Sequence, residues 1–307
     1  MRPFGARLRA AVAARGPLCV GIDPHAALLR EWGLDDDPAG LERFARTAVD
    51  ALAGRVAVVK PQSAFFERHG SRGIAVLERV LADARAAGAL VLLDVKRGDI
   101  GTTVAAYADA YLDPASPLAA DAVTASPYLG FGSLRPMLDR ARAVGGGVFV
   151  LAATSNPEGA EVQQAVGPDG RTAAQRVVDA AGAENDAELA AHPAAARAGI
   201  GSVGVVVGAT LGRGETTGGG IPLDLAGLHG PVLAPGVGAQ GGSLADLPAL
   251  FGPVLPDVLP AASREVLRHG PDPARLQAAA DLLREEAAVR AAGAARAAGA
   301  VTERQRQ

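Results

Sequence analysis

Short apolar runs of four to seven residues recur along the chain, each closed by a polar or turn residue, with helix-like segments between most of them. They lie at 18–22 (LCVGI), 56–59 (VAVV), 89–93 (ALVLL), 121–125 (DAVTA), 148–153 (VFVLAA), 203–209 (VGVVVGA), 231–235 (PVLAP) and 258–262 (VLPAA). Eight buried strands alternating with helices predict an α/β fold, a single (β/α)8 TIM barrel over residues 1–280. An open parallel sheet would leave edges and a reversal of strand order, for which the pattern gives no sign. Residues 281–307, rich in alanine and arginine, read as a helical tail. At the other end, Phe4, Leu8 and Val12 recur at helical spacing and lead straight into the first run. That predicts a packed helix rather than a targeting peptide, despite Arg2, Arg7, Arg9 and Arg15.

Polar residues cluster where the runs end. Asp23, Lys60, Asp94, Lys96, Ser155, Gln240 and Arg264 all stand at or just past the C-terminal end of a predicted strand. In a (β/α)8 barrel those ends share one face, and that face carries the active site. Two segments carry no such signal. The connection 156–202 has a helical middle, Ala173 to Ala183, and no recognisable chemistry. The glycine-rich stretch Leu211 to Pro222 lacks the lysine and following helix of a P-loop, and reads as a linker.

Composition narrows the function classes. The chain has 307 residues, 49% hydrophobic and 21% charged, enough for a large core. A net charge of −3 and 4% aromatic content point away from nucleic acid, and no apolar run approaches the roughly 18 residues of a membrane span. The single cysteine, Cys19, excludes an intrachain disulfide and a cysteine-based zinc site, and is compatible with a reducing cytoplasm. The five histidines show no i, i+4 pairing, so no metal site is expected.

The stretch LDVKRGDIGTT, residues 93–103, is the chemical centre of the pattern. Alternation along a strand puts Asp94 and Lys96 on one face, and Asp99 follows at the start of a helix. Unit charges about 4 Å apart interact by about 4 kcal/mol at an effective dielectric of 20. Such a cluster is costly unless balanced, and costly clusters mark sites. Spacing alone also fits a plainer reading, in which Asp99 caps the helix and Lys96 is a solvated partner of Asp94. The run APGVGAQGG, residues 234–242, brings glycines and Gln240 after the seventh strand, and Arg264 follows the eighth. Loops after strands seven and eight are the recurring phosphate site of barrels, so a phosphomonoester ligand is expected.

Taken together, GIDPH (21–25), Lys60, LDVKRGDIGTT (93–103), SPYLG (126–130), TSNP (154–157), VVVGAT (205–210) and APGVGAQGG (234–242) resemble orotidine 5′-phosphate decarboxylase, in its longer bacterial subgroup. The resemblance implies cofactor-free decarboxylation of orotidine 5′-phosphate to UMP by a cytoplasmic homodimer. It assigns Lys96 as proton donor, Asp94 as the charge beside the substrate carboxylate, and Lys60 and Asp23 to the network and ribose. Asp99 and Thr103 would complete the site of a second copy, with Ile100 and Pro235 also at the substrate. Ser155 would read the pyrimidine, and Gln240 and Arg264 would grip the phosphate. One position departs from the family pattern: Glu265 follows Arg264, where glycine is usual. Pointing inward it would repel phosphate; pointing outward it would sit as a helix N-terminal acid. Two rivals remain: magnesium-dependent chemistry on a sugar phosphate, which needs a further carboxylate ligand, and a nucleotide-binding barrel without activity.

Overall fold

Each of the eight apolar runs forms a strand, and alternation within it sorts its side chains between two buried layers. The computed structural model describes residues 1–211, 223–238 and 241–305. The strands are β1 (Cys19–Ile22), β2 (Val58–Pro61), β3 (Leu90–Arg97), β4 (Ala122–Ala125), β5 (Gly147–Ala153), β6 (Val203–Val207), β7 (Val232–Pro235) and β8 (Val258–Ala262). They pair in parallel in chain order, and Cys19 opposite Ala261 closes β8 onto β1. Val20, Val59, Val91, Val123, Val148, Val205 and Val232 face outward, under the helices, in one apolar cluster. Their neighbours Cys19, Val58, Leu92, Phe149, Leu233 and Leu259 form a second cluster inside the barrel. With both faces covered, a strand needs apolar residues at almost every position, which is why the runs read as continuous.

The helix Phe4–Arg15 closes the bottom of the barrel. Phe4 meets Phe149 edge-on, with ring centroids 5.9 Å apart at 86°. Arg7 pairs with Asp121 and donates to the Gly145 carbonyl at 2.8 Å, and Arg9 pairs with Asp257. Asp121 and Asp257 immediately precede β4 and β8, so these N-terminal arginines are ties across the strand starts.

Two helices run further than the sequence pattern suggested. The one after β5 spans Ala173–Ala191. Its fully buried Asn185 donates to the carbonyls of Val203 and Leu228, each at 2.8 Å, and accepts from the Val203 amide at 2.9 Å. The connection 156–202 therefore anchors β6, a role invisible to local periodicity. The C-terminal helix is continuous from Pro273 to Gln305, across position 281. It buries Leu276, Ala280 and Ala287 and ties Asp281 to Arg55 at 2.9 Å. The glycine-rich stretch ending at Pro222 lies, after Leu211, outside the described residues. Among the described residues no helix is long and apolar enough to cross a membrane.

Candidate active site

Followed toward the C-terminal strand ends, the inward-facing positions change from apolar to polar. Cys19 gives way to Gly21 and Asp23, Val58 to Lys60 and Gln62, Leu92 to Asp94 and Lys96, Ala122 to Thr124, and Ala261 to Ser263. Gly21, Asp23, Lys60, Gln62, Asp94, Lys96, Thr124, Ala261 and Ser263, with His25, Leu151, Thr154, Val206, Pro235 and Arg264, line a cavity of about 300 Å³ at the barrel mouth. The period of two, carried through parallel strands, places the polar groups of β2, β3 and β4 side by side on one wall.

Asp94 is the hub of that wall. It is 5% exposed, and Lys60 beside it is 6% exposed. Asp94 Oδ1 accepts from Lys96 Nζ at 2.6 Å and from Thr124 Oγ1 at 2.7 Å. Its Oδ2 accepts from Gln62 Nε2 at 2.9 Å and from Lys60 Nζ at 3.3 Å. A carboxylate offers about four lone-pair sites, so this one is saturated. Asp23 Oδ1 lies 3.7 Å from Lys60 Nζ and is buried without a hydrogen-bond partner among the described residues, as is Ser263 Oγ. Both belong to residues of the cavity wall.

Burial works against the Asp94 carboxylate, but Lys60, Lys96 and the hydrogen bonds from Lys96 and Thr124 outweigh it and hold its pKa well below the ordinary range. Burial likewise opposes the charge on Lys60, and the nearby Asp23 and Asp94 outweigh it, raising its pKa above that of an ordinary ammonium. Asp94 and Lys60 are therefore both ionised at neutral pH. Burial pushes the thiol of Cys19 up to about 12, so it stays protonated. Burial also lowers the pKa of His25, against the pull of Asp23 and with help from Arg264 and Arg68, which leaves its imidazole neutral at pH 7.

Strand β3 departs from the expected run, which ended at Leu93. It continues to Arg97, with a register shift between Leu93 and Arg97 against β4. Within that irregularity Lys96 adopts φ 46°. Side chains other than glycine seldom enter this region, and holding one there costs about 1–3 kcal/mol. Lys96 is thus strained at the position that carries its ammonium, as functional residues often are.

The opposite wall is more open. Pro235 lines the cavity and leads into a turn in which the Gly238 amide donates to Gly242 O at 2.7 Å and the Gly242 amide to Gly236 O at 3.0 Å. Gly238 has φ 82°, and a Cβ there would lie 1.9 Å from Cγ of Glu265, so only glycine fits. Arg264 lines the cavity, and its side chain is exposed. Glu265 does not line it: it leans on Gly238 and pairs with Arg268 at 2.7 Å. Of the two orientations considered for Glu265, the structure adopts the outward one. Gln240 lies outside the described residues.

Five of the seven strand-end groups therefore line one cavity: Asp23, Lys60, Asp94, Lys96 and Arg264. Ser155 is exposed at the rim, where Thr154 forms the wall. Asp99, Ile100 and Thr103 do not line the cavity of their own chain. Asp99 Oδ1 accepts from the Ile100 amide at 2.8 Å, while Ile100 and Thr103 are exposed. Sequence reasoning missed Gln62, Thr124 and Ser263. Their signal was present, since each sits two residues along the inward row from a residue already identified as inward or apolar. Among the described residues, no group of three His, Cys, Asp or Glu side chains is placed to hold a metal ion.

As a class, then, this is a (β/α)8 barrel that gathers opposite charges in a cavity at its C-terminal strand ends. Comparison with known proteins narrows the class to one family. The sequence model of the orotidine 5′-phosphate decarboxylase / HUMPS family matches residues 16–271, and the chain belongs to that family. It is 62% identical over 281 residues to an orotidine 5′-phosphate decarboxylase of Salinispora arenicola, covering 92% of this chain and 95% of that one. A protein of the same name from Streptomyces coelicolor is 60% identical over 284 residues, covering 92% and 95%. The crystal structure of a candidate orotidine 5′-phosphate decarboxylase from Streptomyces avermitilis superposes with a TM-score of 0.87 at 58% identity, over 95% of this chain and 97% of its own.

Proposed function

We infer that this protein decarboxylates orotidine 5′-phosphate to UMP, the last step of de novo pyrimidine biosynthesis, and acts as a homodimer. The observation that carries the reading is Asp94, ionised and saturated between Lys60 and Lys96 at the mouth of the barrel. When the bond from C6 to the carboxylate breaks, the electron pair stays on C6 and carbon dioxide leaves. The ring has no electron sink for that pair, so the carbanion needs fixed positive charge already in place. Lys96 supplies it and then donates the proton that completes UMP. Asp94 opposes the substrate carboxylate in the ground state, and that repulsion is relieved as the carboxylate departs.

The remaining residues bind. Asp23, with an unpartnered oxygen on the cavity wall, suits a ribose hydroxyl, and Lys60 lies beside it. Arg264, Gln240 and the turn after Pro235 receive the phosphate, whose binding energy can order the loop over the ring. Ser155 reads the pyrimidine from the rim. Asp99, Ile100 and Thr103 serve a second copy. This fits their place outside the lining of their own cavity and the exposed apolar side chains nearby: Ile100 is 62% exposed, and Tyr128 and Leu129 on the adjoining loop are 77% and 53% exposed. A cytoplasmic enzyme is the reading its part in nucleotide synthesis supports.

The test is the ultraviolet absorbance change when orotidine 5′-phosphate is added to chelator-treated protein. Rapid turnover is expected. Binding of UMP without turnover would overturn the reading, and activity returning only with magnesium would favour the sugar-phosphate branch. For the shared site, mixing inactive Lys96→Ala and Asp99→Ala chains should restore about a quarter of wild-type activity, because half of the dimers are mixed and each holds one intact site. No recovery after subunit exchange would reject the sharing.

A further inference from the structure

Thr124 carries no charge and belongs to no recognised motif, yet the irregular end of β3 is built on its hydroxyl. It lies in β4, 1% exposed, facing the barrel interior. Its Oγ1 donates to Asp94 Oδ1 at 2.7 Å and accepts from the backbone amides of Val95 at 3.0 Å and Lys96 at 2.9 Å. A hydroxyl has one proton and two lone pairs, and all three are used here.

In a regular parallel pair, amides at the end of β3 would bond to carbonyls of β4. Between Leu93 and Arg97 that register breaks, and it resumes with Arg97 opposite Ala125. A side-chain oxygen stands in for the missing carbonyls across the gap. This is where Lys96 takes its left-handed φ of 46°. The same oxygen therefore anchors the backbone that aims Lys96 and one oxygen of the carboxylate that holds its ammonium. β-branching confines the Thr124 rotamer and so fixes both at once.

We propose that Thr124 is a positioning residue for the decarboxylation, locking the kinked Lys96 backbone and the Asp94 carboxylate into one relative placement. The proposal rests on the decarboxylase reading of the site. It requires a group that donates and accepts simultaneously. Valine reproduces the shape without the hydroxyl, and serine the hydroxyl without the methyl group.

The experiment compares Thr124→Val and Thr124→Ser by steady-state kinetics, UMP binding and crystallography. Thr124→Val should lower kcat by about 100-fold, the cost of a misplaced reacting group, with KM and UMP affinity within about threefold. Thr124→Ser should return kcat to within about fivefold of wild type. In the Thr124→Val crystal structure, Lys96 should leave its positive φ, or its ammonium should leave hydrogen-bond range of Asp94. A merely structural role would lower the melting temperature without separating kcat from KM. The proposal is overturned if Thr124→Val keeps kcat within about threefold, or if Lys96 keeps both its φ and its contact with Asp94. Should the wild-type protein fail to turn over orotidine 5′-phosphate, the functional reading falls, while the crystallographic comparison still decides whether Thr124 places Lys96. If valine is not accommodated, Thr124→Ala makes the same chemical deletion with a smaller side chain.

Discussion

At the ends of β2, β3 and β4 the Asp94 carboxylate is saturated by donors from its own chain, whereas around β5, β7 and β8 the groups assigned to substrate stand open. Lys60, Asp94 and Thr124 are each less than a tenth exposed, while Ser155 and Arg264 are exposed. Burial explains the contrast. A charge withdrawn from water without partners costs several kcal/mol, so the buried Asp94 and Lys60 must be paired before any ligand arrives. Lys96, itself exposed, completes that pairing from the solvent side. Exposed side chains such as those of Ser155 and Arg264 carry no such penalty and can wait for a ligand to engage them.

Substitutions should divide along that line. Lys96→Ala should have the largest effect, lowering kcat by at least about 10⁴-fold through joint loss of proton donor and fixed charge. UMP affinity, measured by calorimetry, should change by less than about tenfold, and equal losses in both would erase the distinction between the two walls. Lys60→Met should destabilise the fold by about 3–5 kcal/mol in denaturant titration, because Asp23 and Asp94 would lose a buried counter-charge. On the open wall, Arg264→Ala should reduce kcat/KM by about 10–100-fold, the worth of charge-assisted phosphate bonds, with melting temperature nearly unchanged.

The pH dependence sharpens the comparison further. The pKa of Asp94 is depressed by folding, so its stabilisation is present above the ordinary aspartate value of about 3.9 and is lost as pH falls through the lower folded value. That of Lys60 is raised, so its stabilisation is present below about 10.4 and is lost only as pH rises through the higher folded value. Neither group titrates between about pH 5 and 9. An acid limb of kcat/KM should therefore come from neither of them. The second ionisation of the substrate phosphate, at about pH 6, is expected to set it, with His25→Asn as the control for the imidazole in the cavity wall. A limb that disappeared when a neutral ligand analogue was used in binding, but stayed in UMP binding, would support this. The smallest effect is expected at Glu265, which turns away from the cavity and pairs with Arg268. Glu265→Gly should leave KM within about twofold, and a larger fall would mean that its carboxylate reaches the phosphate.

The strands and their polar ends were legible because period two is a local property. Once β1 to β8 are parallel neighbours, Asp23, Lys60, Asp94 and Lys96 must share the inner face at one end. For Thr124 and Gln62 the inward position was legible from the alternation, but their bonds to Asp94 were not, since these span 30 and 32 positions. Nor was Asn185, whose amide reaches Val203 and Leu228 from a helix that looked featureless.

By itself, then, the sequence determined the barrel, the face on which its chemistry lies and the identity of the charged residues, because hydrophobic burial acts on each strand's alternation. Tertiary structure alone decided the kink at Lys96, the saturation of Asp94 and the outward turn of Glu265. Those depend on which hydrogen-bonding groups meet when β2, β3 and β4, or the ends of β7 and β8, are brought side by side. Hydrogen bonds are short-ranged and directional, so a periodicity of apolar residues leaves no trace of them.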